Sequence, residues 1–292
     1  MKIKQSPGSI AFDAAITLCM LLVIVICLYP LVFVFSMSIS DPVAAARKEV
    51  FLFPKGFSLA SYSIILSNPT VWVSYGNTVF YTVFGTIINV FMTTILAYPL
   101  SRKQFFLAAP LSMMVTFTMF FSGGLIPTLL VVNSLGLYNT RWALLLPSAI
   151  SAYNVIIARS FFQSLPESLI ESAKLDGAND LHILPVIVIP LSMPIIAVLI
   201  LYYAVGHWNS YFPALLYLND TRLQPLQLYL RRILIENTNE LSSGMDISVE
   251  KSLASMQLKY AIIIVATLPI LCVYPFLQKY FVKGVMIGAI KS

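Results

Sequence analysis

The chain has 292 residues, 59% of them hydrophobic and 10% charged, with a mean hydropathy of +0.86. Soluble domains carry about 25% charged residues, so 18 basic and 12 acidic side chains are too few to cover a water-facing globule of this length. A soluble globule, a disordered chain, a fibre and a disulfide scaffold are excluded, and a multi-span helical membrane protein remains. The formal net charge of +6 comes without any basic run longer than two residues (Arg47-Lys48, Arg102-Lys103, Arg231-Arg232). Nucleic acid is therefore not an expected partner, and the basic residues read as interfacial.

In chain order, apolar runs free of Asp, Glu, Lys, Arg and His occupy about 14–38, 72–98, 108–132, 142–158, 184–206 and 261–278. Each matches the ~20 residues that cross a hydrocarbon layer, the fourth only just. The first is far longer than the ~7–15 apolar residues of a signal peptide, so it is expected to stay as an uncleaved span. Cys19, Cys27 and Cys272 fall in apolar stretches and read as small hydrophobes. Six spans put both termini on one side, together with the short 99–107 loop. Lys2, Lys4, Arg102, Lys103, Lys279, Lys283 and Lys291 mark that side as cytoplasmic. Two larger outer segments follow, about 39–71 and 207–260, the second with an amphipathic helix expected near Leu223–Ile235. One larger inner loop covers about 159–183. Prolines recur in and beside the spans, including Pro99, Pro127, Pro147, Pro185, Pro190 and Pro194. They predict kinks whose freed carbonyls find partners inside the protein.

No Asp, Glu, His, Lys or Arg lies in any of the six runs. Symporters, pumps and voltage sensors need such residues there, and a cation filter needs an acidic ring. The two histidines, His182 and His207, fall on opposite sides of this topology, there is no HExxH cluster, and no catalytic or metal site is expected. Nor is there a GxxxxGK[ST] loop to bind ATP. Uphill transport would have to draw its energy from another polypeptide docked on the cytoplasmic side.

The 159–183 loop fits that role. Pro166 suits a first helical position and Ser164 a cap before it. Leu169, Ile170 and Ala173 recur on one helical face, and Gly177 permits the positive φ that ends a helix. Over 161–182, Glu167, Glu171, Asp176 and Asp180 stand against Lys174, a formal charge of −3. An acidic helix–turn–helix on the positive-inside face suits a basic partner, although a plain solvated connector would also carry such charges.

Glu171-Ser-Ala173-x3-Gly177-x9-Ile187-x-Ile189-Pro190 resembles the EAA motif of ABC-importer permeases, usually written EAA-x3-G-x9-I-x-L-P, with Ser172 and Ile189 as conservative departures. Phe121-Ser-Gly-Gly-Leu-Ile-Pro127, Asn139-Thr-Arg-Trp142, His207-Trp-Asn209 and Gly284-Val-Met-Ile-Gly-Ala-Ile-Lys291 are similar to the carbohydrate branch of that family. More closely, they resemble its smaller maltose-type and LplC-type subunits. The resemblance covers essentially the whole chain and implies an all-α, type I permease fold of about six transmembrane helices, with 1–292 as a single permease domain. It implies a multi-pass bacterial inner-membrane protein that is not itself an enzyme and holds no cofactor. ATP and magnesium would sit on two partner ATPase subunits. The other implied partners are a second homologous permease chain in a heterodimer and an extracytoplasmic solute-binding protein. An oligosaccharide in transit would be the solute, the alternative being a peptide or other small solute.

By that resemblance, Pro166, Glu167, Glu171, Ala173, Asp176, Gly177, Ala178 and Pro190 form the ATPase-coupling loop. Glu171 would meet a basic group, Ala173 would keep the docking face low, and Gly177 would make the turn. Gly284, Gly288 and Lys291 would reach toward the ATPase. For a sugar path, which needs aromatic faces with amides and hydroxyls, the residues in or beside spans are Asn89, Thr93, Tyr153, Asn154, Trp208, Asn209 and Tyr211. Asn89 and Thr93 equally suit helix-to-helix hydrogen bonds, and Trp208 and Tyr211 an interfacial belt.

Overall fold

The computed structural model describes residues 7–242, 257–272 and 275. Among these the architecture is helical, with no strand and one isolated bridge between Ser40 and Phe57. The chain divides into two compact units. One takes the described residues up to Pro69 together with those of Leu230–Leu268; the other takes Thr70–Tyr229 and the described residues from Pro269 on.

In the first unit, α1 (Pro7–Ile39) is a single 33-residue helix, apolar on every side. Its side chains stay exposed from Leu18 to Val32 and beyond, as expected of a surface that meets lipid or other protein rather than water. At its C-terminal end the polar residues turn inward. Ser38 shares a 2.8 Å hydrogen bond with Tyr62, Ser61 donates to Gln257, and Gln257 donates to the carbonyls of Ser38 and Ser40. Asp41 caps α2 (Pro42–Ala46) by accepting from the Val43 and Ala44 amides, and α3 (Ala60–Ser67) follows.

The second unit is built on α4 (Pro69–Leu100), 32 residues without a break because its one internal proline, Pro99, falls in the last turn. α5 (Ala108–Phe120) and α6 (Leu125–Ser134) are bent apart by 116°. The break falls on Phe121-Ser-Gly-Gly124, where Gly124 takes φ +87° and Pro127 follows in the first turn of α6. Short α7 (Trp142–Leu145) precedes α8 (Ala152–Gln163). α9 (Glu167–Leu175) and α10 (Asp180–Ile183) lead through a π turn at Leu184–Val188 into α11 (Ile189–Leu191). An 84° bend at Ser192 then starts α12 (Met193–Trp208). Pro185, Pro190 and Pro194 each lack an amide donor along this stretch, which accounts for both the π turn and the bend. α13 (Phe212–Tyr217) and a 3₁₀ turn at Thr221–Leu223 follow; α14 (Leu226–Ser242) belongs to the first unit from Leu230 on, and α15 (Gln257–Cys272) belongs to it up to Leu268.

The helical membrane character expected from composition is present, but the spans differ in detail. By length and composition α1 and α4 each suffice to cross a membrane, and counting each bent pair as one span brings the number to four. The run at 142–158 is not one helix. It opens over Leu146–Ser151, where the Pro147 ring cannot donate, and resumes in α8, which continues through Arg159. The run at 184–206 does not stop before His207. With no breaker there, α12 carries the imidazole in its last turn and ends only at Asn209, whose Nδ2 donates to the Val205 carbonyl at 3.0 Å. The amphipathic helix expected near Leu223–Ile235 begins at Leu226, after the turn that Asp220 caps, rather than at Leu223.

Candidate functional site

Two features of the second unit carry the candidate chemistry: an exposed acidic loop and a polar cavity.

The loop is shaped by local backbone rules. α8 ends at Ser164, whose hydroxyl donates back to the Phe161 carbonyl at 2.7 Å. Ser164 therefore closes α8 and does not cap α9. Pro166 takes the cap position itself with extended ψ 124°, and Glu167 is the first helical residue, well placed against the helix dipole. At the other end the Gly177 amide donates to the Lys174 carbonyl (3.0 Å) and the Ala178 amide to the Ala173 carbonyl (2.9 Å). This is a Schellman closure with Gly177 at φ +85°. Asn179 then caps α10 through a 2.9 Å bond from the His182 amide.

Ile170 and Ala173 are buried in a core with Ala97, Leu100, Val155, Phe162, Ile183 and Leu199. Leu169, expected on the same face, is instead exposed. At 100° per residue it lies a full step round from Ile170, and the buried stripe of a nine-residue helix is too narrow to include both. Leu175 (89% exposed) and Leu181 (85%) stand out into solvent beside the carboxylates. Glu167 pairs with Lys103 at 3.5 Å, and Asp180 accepts from the Tyr98 hydroxyl at 2.8 Å and lies 3.7 Å from Lys174. Glu171 and Asp176 are exposed and make no ion pair among the described residues. Pro190 ends the motif in α11, exposed.

The loop is fixed to the end of α4 by backbone contacts. Arg159 Nε donates to the Leu100 carbonyl (3.0 Å), and Arg102 Nη2 to the Phe162 carbonyl (3.3 Å) while its guanidinium stacks on Tyr98, 4.9 Å from the ring centre. Burial lowers the Arg102 pKa from its ordinary value, an effect opposed by Tyr98, Asp180 and Glu167. A guanidinium stays protonated throughout.

The cavity measures about 490 Å³, within the usual range for small-molecule sites. Asn89 comes from α4, Ser148 and Ser151 from the broken stretch before α8, Asn154 from α8, Tyr202, Tyr203 and His207 from α12, and Ser210 from beyond it. The break that upsets a continuous fourth span is what supplies the polar lining. The Ser148 carbonyl accepts from Asn89 Nδ2, and the Ser151 amide donates to the Tyr203 hydroxyl at 3.4 Å. Tyr203 in turn shares a 2.6 Å bond with Thr93. The non-helical backbone before α8 thus finds partners inside the protein.

The residues expected along a sugar path are not all brought together. Asn89 and Asn154 line the cavity, whereas Thr93 reaches it only through Tyr203. Tyr153, Trp208 and Asn209 line a different, mostly apolar groove of about 830 Å³, shared with Asn154 and Tyr202. Trp208 packs edge-to-face on Tyr75, with ring centres 5.9 Å apart. Tyr211 is exposed against Phe212 and lines neither space. Sequence reasoning missed His207, Ser148, Ser151 and Tyr203. Gly85 carries a signal for the first of these, because a glycine inside a long apolar helix marks a place where something approaches its backbone. Gly284, Gly288 and Lys291 lie outside the described residues.

A third cluster ties loops to the first half of α4. Buried Asn77 donates to the Arg222 (2.7 Å) and Gln224 (3.2 Å) carbonyls and accepts from Arg141 at 3.2 Å. Tyr81 donates to the Leu223 carbonyl at 2.8 Å, and Arg141 lies over Phe80. Arg222, a cation that an acidic solute could have met, is paired with Asp220 at 3.0 Å. Its hydrogen bond to Asp220 pulls the carboxyl pKa below the ordinary value and raises its own. No group of three or more His, Cys, Asp or Glu gathers among the described residues.

The family model described as binding-protein-dependent transport system inner membrane component matches residues 11–287. The chain belongs to that family. It is 44% identical over 281 residues to the polygalacturonan/rhamnogalacturonan transport system permease protein YtcP of Bacillus subtilis, covering 96% of this chain and 98% of that one. It is also 44% identical over 268 residues to LplC of the same organism, covering 91% and 90%. Among solved structures it is similar to a chain of a bacterial ABC transporter involved in the import of the acidic polysaccharide alginate. That match has a TM-score of 0.87 and 33% identity, and covers 96% of this chain and 100% of the other. The chain is accordingly a membrane permease subunit of a binding-protein-dependent importer with the type I ABC permease fold. It is not itself an enzyme, and it works with an ATPase and a solute-binding protein.

Proposed function

We propose that this permease forms half of the translocation path for an oligosaccharide and takes up the energy of ATP hydrolysis through α9 and α10. The observation that carries the reading is the loop's construction. Two unpaired carboxylates, Glu171 and Asp176, and two exposed leucines, Leu175 and Leu181, project from a short helix pair whose inner face is locked into the core. Exposed apolar side chains beside free carboxylates match a basic partner surface with a hydrophobic centre. Glu167, Ala173, Gly177 and Ala178 shape that surface, with Pro166 and Pro190 at its limits. ATP and magnesium bind on two ATPase subunits and no cofactor binds here. A second, homologous permease chain completes the path as a heterodimer, each chain acting as a single permease domain.

In this reading both termini and the acidic loop face the cytoplasm, as the basic residues of the 99–107 loop favour. Gly284, Gly288 and Lys291 reach the ATPase from the tail. The saccharide transporters named above support an oligosaccharide as solute, and a peptide is not favoured. Within the path, Asn89 and Asn154 touch the sugar, Thr93 orders Tyr203, and Tyr153, Trp208, Asn209 and Tyr211 border the neighbouring space.

The test is a mild-detergent purification of the native assembly through a tag on this chain. Recovery of an ATPase, a second permease and an extracytoplasmic binder that takes an oligosaccharide is expected. A chain that emerges alone, and transports in liposomes without ATP, would refute the coupling reading.

A further inference from the structure

His207 is a titratable group in the last turn of α12, and its surroundings are built to hold it in one orientation. Its Nε2 lies 2.6 Å from Asn89 Oδ1. The Asn89 amide cannot be turned the other way, because its Nδ2 donates to the Ser148 carbonyl, which can only accept. Nε2 therefore carries the proton and Nδ1 carries the lone pair in neutral His207. No group among the described residues takes up Nδ1.

Space for the ring is made by Gly85 on α4. A Cβ there would lie 2.6 Å from Cε1 and 2.7 Å from Cδ2 of the imidazole, and nearer still to Nε2. Contacts under 3.0 Å force a shift, so a side chain at 85 obliges the ring to leave this position. Gly85, Asn89 and His207 thus form one device on two helices, and it opens on the cavity, of which His207 and Asn89 are both lining residues.

The rest of the lining decides what that device can meet. The cavity wall holds the hydroxyls of Tyr81, Tyr202, Tyr203 and Tyr217, the amides of Asn89 and Asn154, and the serines. Among the described residues it holds no Asp, Glu, Lys or Arg, and the nearby Arg141 is already engaged with Asn77 and Phe80. An anion entering this space meets no repelling carboxylate and one group able to become cationic. We infer that His207 reads a carboxylate on the solute, so that the oligosaccharide is a uronate-containing one, with Gly85 as a positioning residue and Asn89 orienting the ring from the cavity wall. A carboxylate at Nδ1 shares one proton, drawn from water, with the imidazole. The resulting charge-assisted bond has no counterpart for a neutral sugar. This rests on the oligosaccharide reading and deepens it.

The test reconstitutes the purified assembly, with its binding protein and ATPase, in liposomes. Uptake of trigalacturonate is compared with that of its methyl ester, which has nearly the same shape and no charge. Wild type is expected to prefer the acid. His207→Gln and Gly85→Ala should each reduce the acid-to-ester ratio about tenfold, the scale of one hydrogen bond to a charged group. A folding defect would lower both rates and leave the ratio unchanged, so the ratio separates the two causes. An unchanged ratio in His207→Gln overturns the assignment of His207. Equal uptake of acid and ester by wild type overturns the uronate class while leaving an oligosaccharide importer intact. Uptake of peptides and of neither sugar would overturn the oligosaccharide reading and this inference with it.

Discussion

The coupling loop and the cavity belong to the same compact unit, and α4 contributes to both: Tyr98 at its end touches the loop, and Asn89, nine residues or about 14 Å back along the axis, lines the cavity. Yet they are specified in opposite ways. The loop is made from consecutive residues whose conformations are dictated locally by Pro166, Gly177 and Asn179, and its functional groups point out. The cavity is made from residues more than a hundred positions apart, such as Asn89 and His207, and its groups point at one another. A docking surface can thus be written into a short stretch of sequence, whereas a binding space exists only once the helices have packed.

The sharpest way to break this comparison is to reverse one charge on the loop. Glu171→Lys is expected to abolish uptake and release the ATPase on purification, while insertion and the thermal midpoint stay near wild type because the side chain is exposed and unpaired. Membrane uptake and co-purification together check it. Gly177→Ala comes next. Its left-handed backbone costs a residue with a Cβ about 1–2 kcal/mol, although the space around it is empty. Uptake should fall several-fold, and Gly177→Asn, which tolerates that conformation, should recover most of it.

On the packed side, Asn77→Ala leaves the Arg222 and Gln224 carbonyls and Arg141 without their partner. A loss of about 1–3 kcal/mol is expected, visible as a lower unfolding temperature in detergent with ATPase binding retained. Tyr98→Phe removes one bond to the exposed Asp180. It should lower stability by no more than about 1 kcal/mol and reduce transport per ATP hydrolysed, measured as the ratio of the two rates. The smallest effect belongs to Asp220→Asn, because the ion pair lies at the surface with its Arg222 side 84% exposed. Because Arg222 depresses the Asp220 pKa, any stabilisation is present above the unfolded carboxylate's pKa and lost as pH falls through the folded value. Wild type and variant should therefore unfold alike in acid and differ at most slightly at neutral pH.

Much of the fold was legible because composition and apolar run length are robust signals, and α1 and α4 match their expected runs closely. The coupling loop was legible because Pro and Gly at fixed offsets constrain the backbone wherever they occur. Ser164 and Leu169 depart from their expected roles, each for its own reason. A cap can close the preceding helix as readily as open the next, and the width of a buried stripe depends on what packs against it. The cavity was only half legible. Asn89 and Asn154 stand out as amides in apolar surroundings, but Ser148 and Ser151 act through a helix break that hydropathy averages away. His207 is hidden from a reading of apolar runs because α12 continues past the last apolar residue to carry it.

The central claim is that energy enters through the exposed face of α9, and site-specific photocrosslinking tests it most directly. A cross-linker placed at exposed Ser172 by Ser172→Cys, with Cys19, Cys27 and Cys272 replaced by serine, should label the ATPase in intact membranes. The same probe at Tyr211→Cys should not. Labelling of the ATPase from 172 that changes in yield with trapped nucleotide is the predicted result. Adducts from 172 with lipid or the solute-binding protein alone would contradict the account.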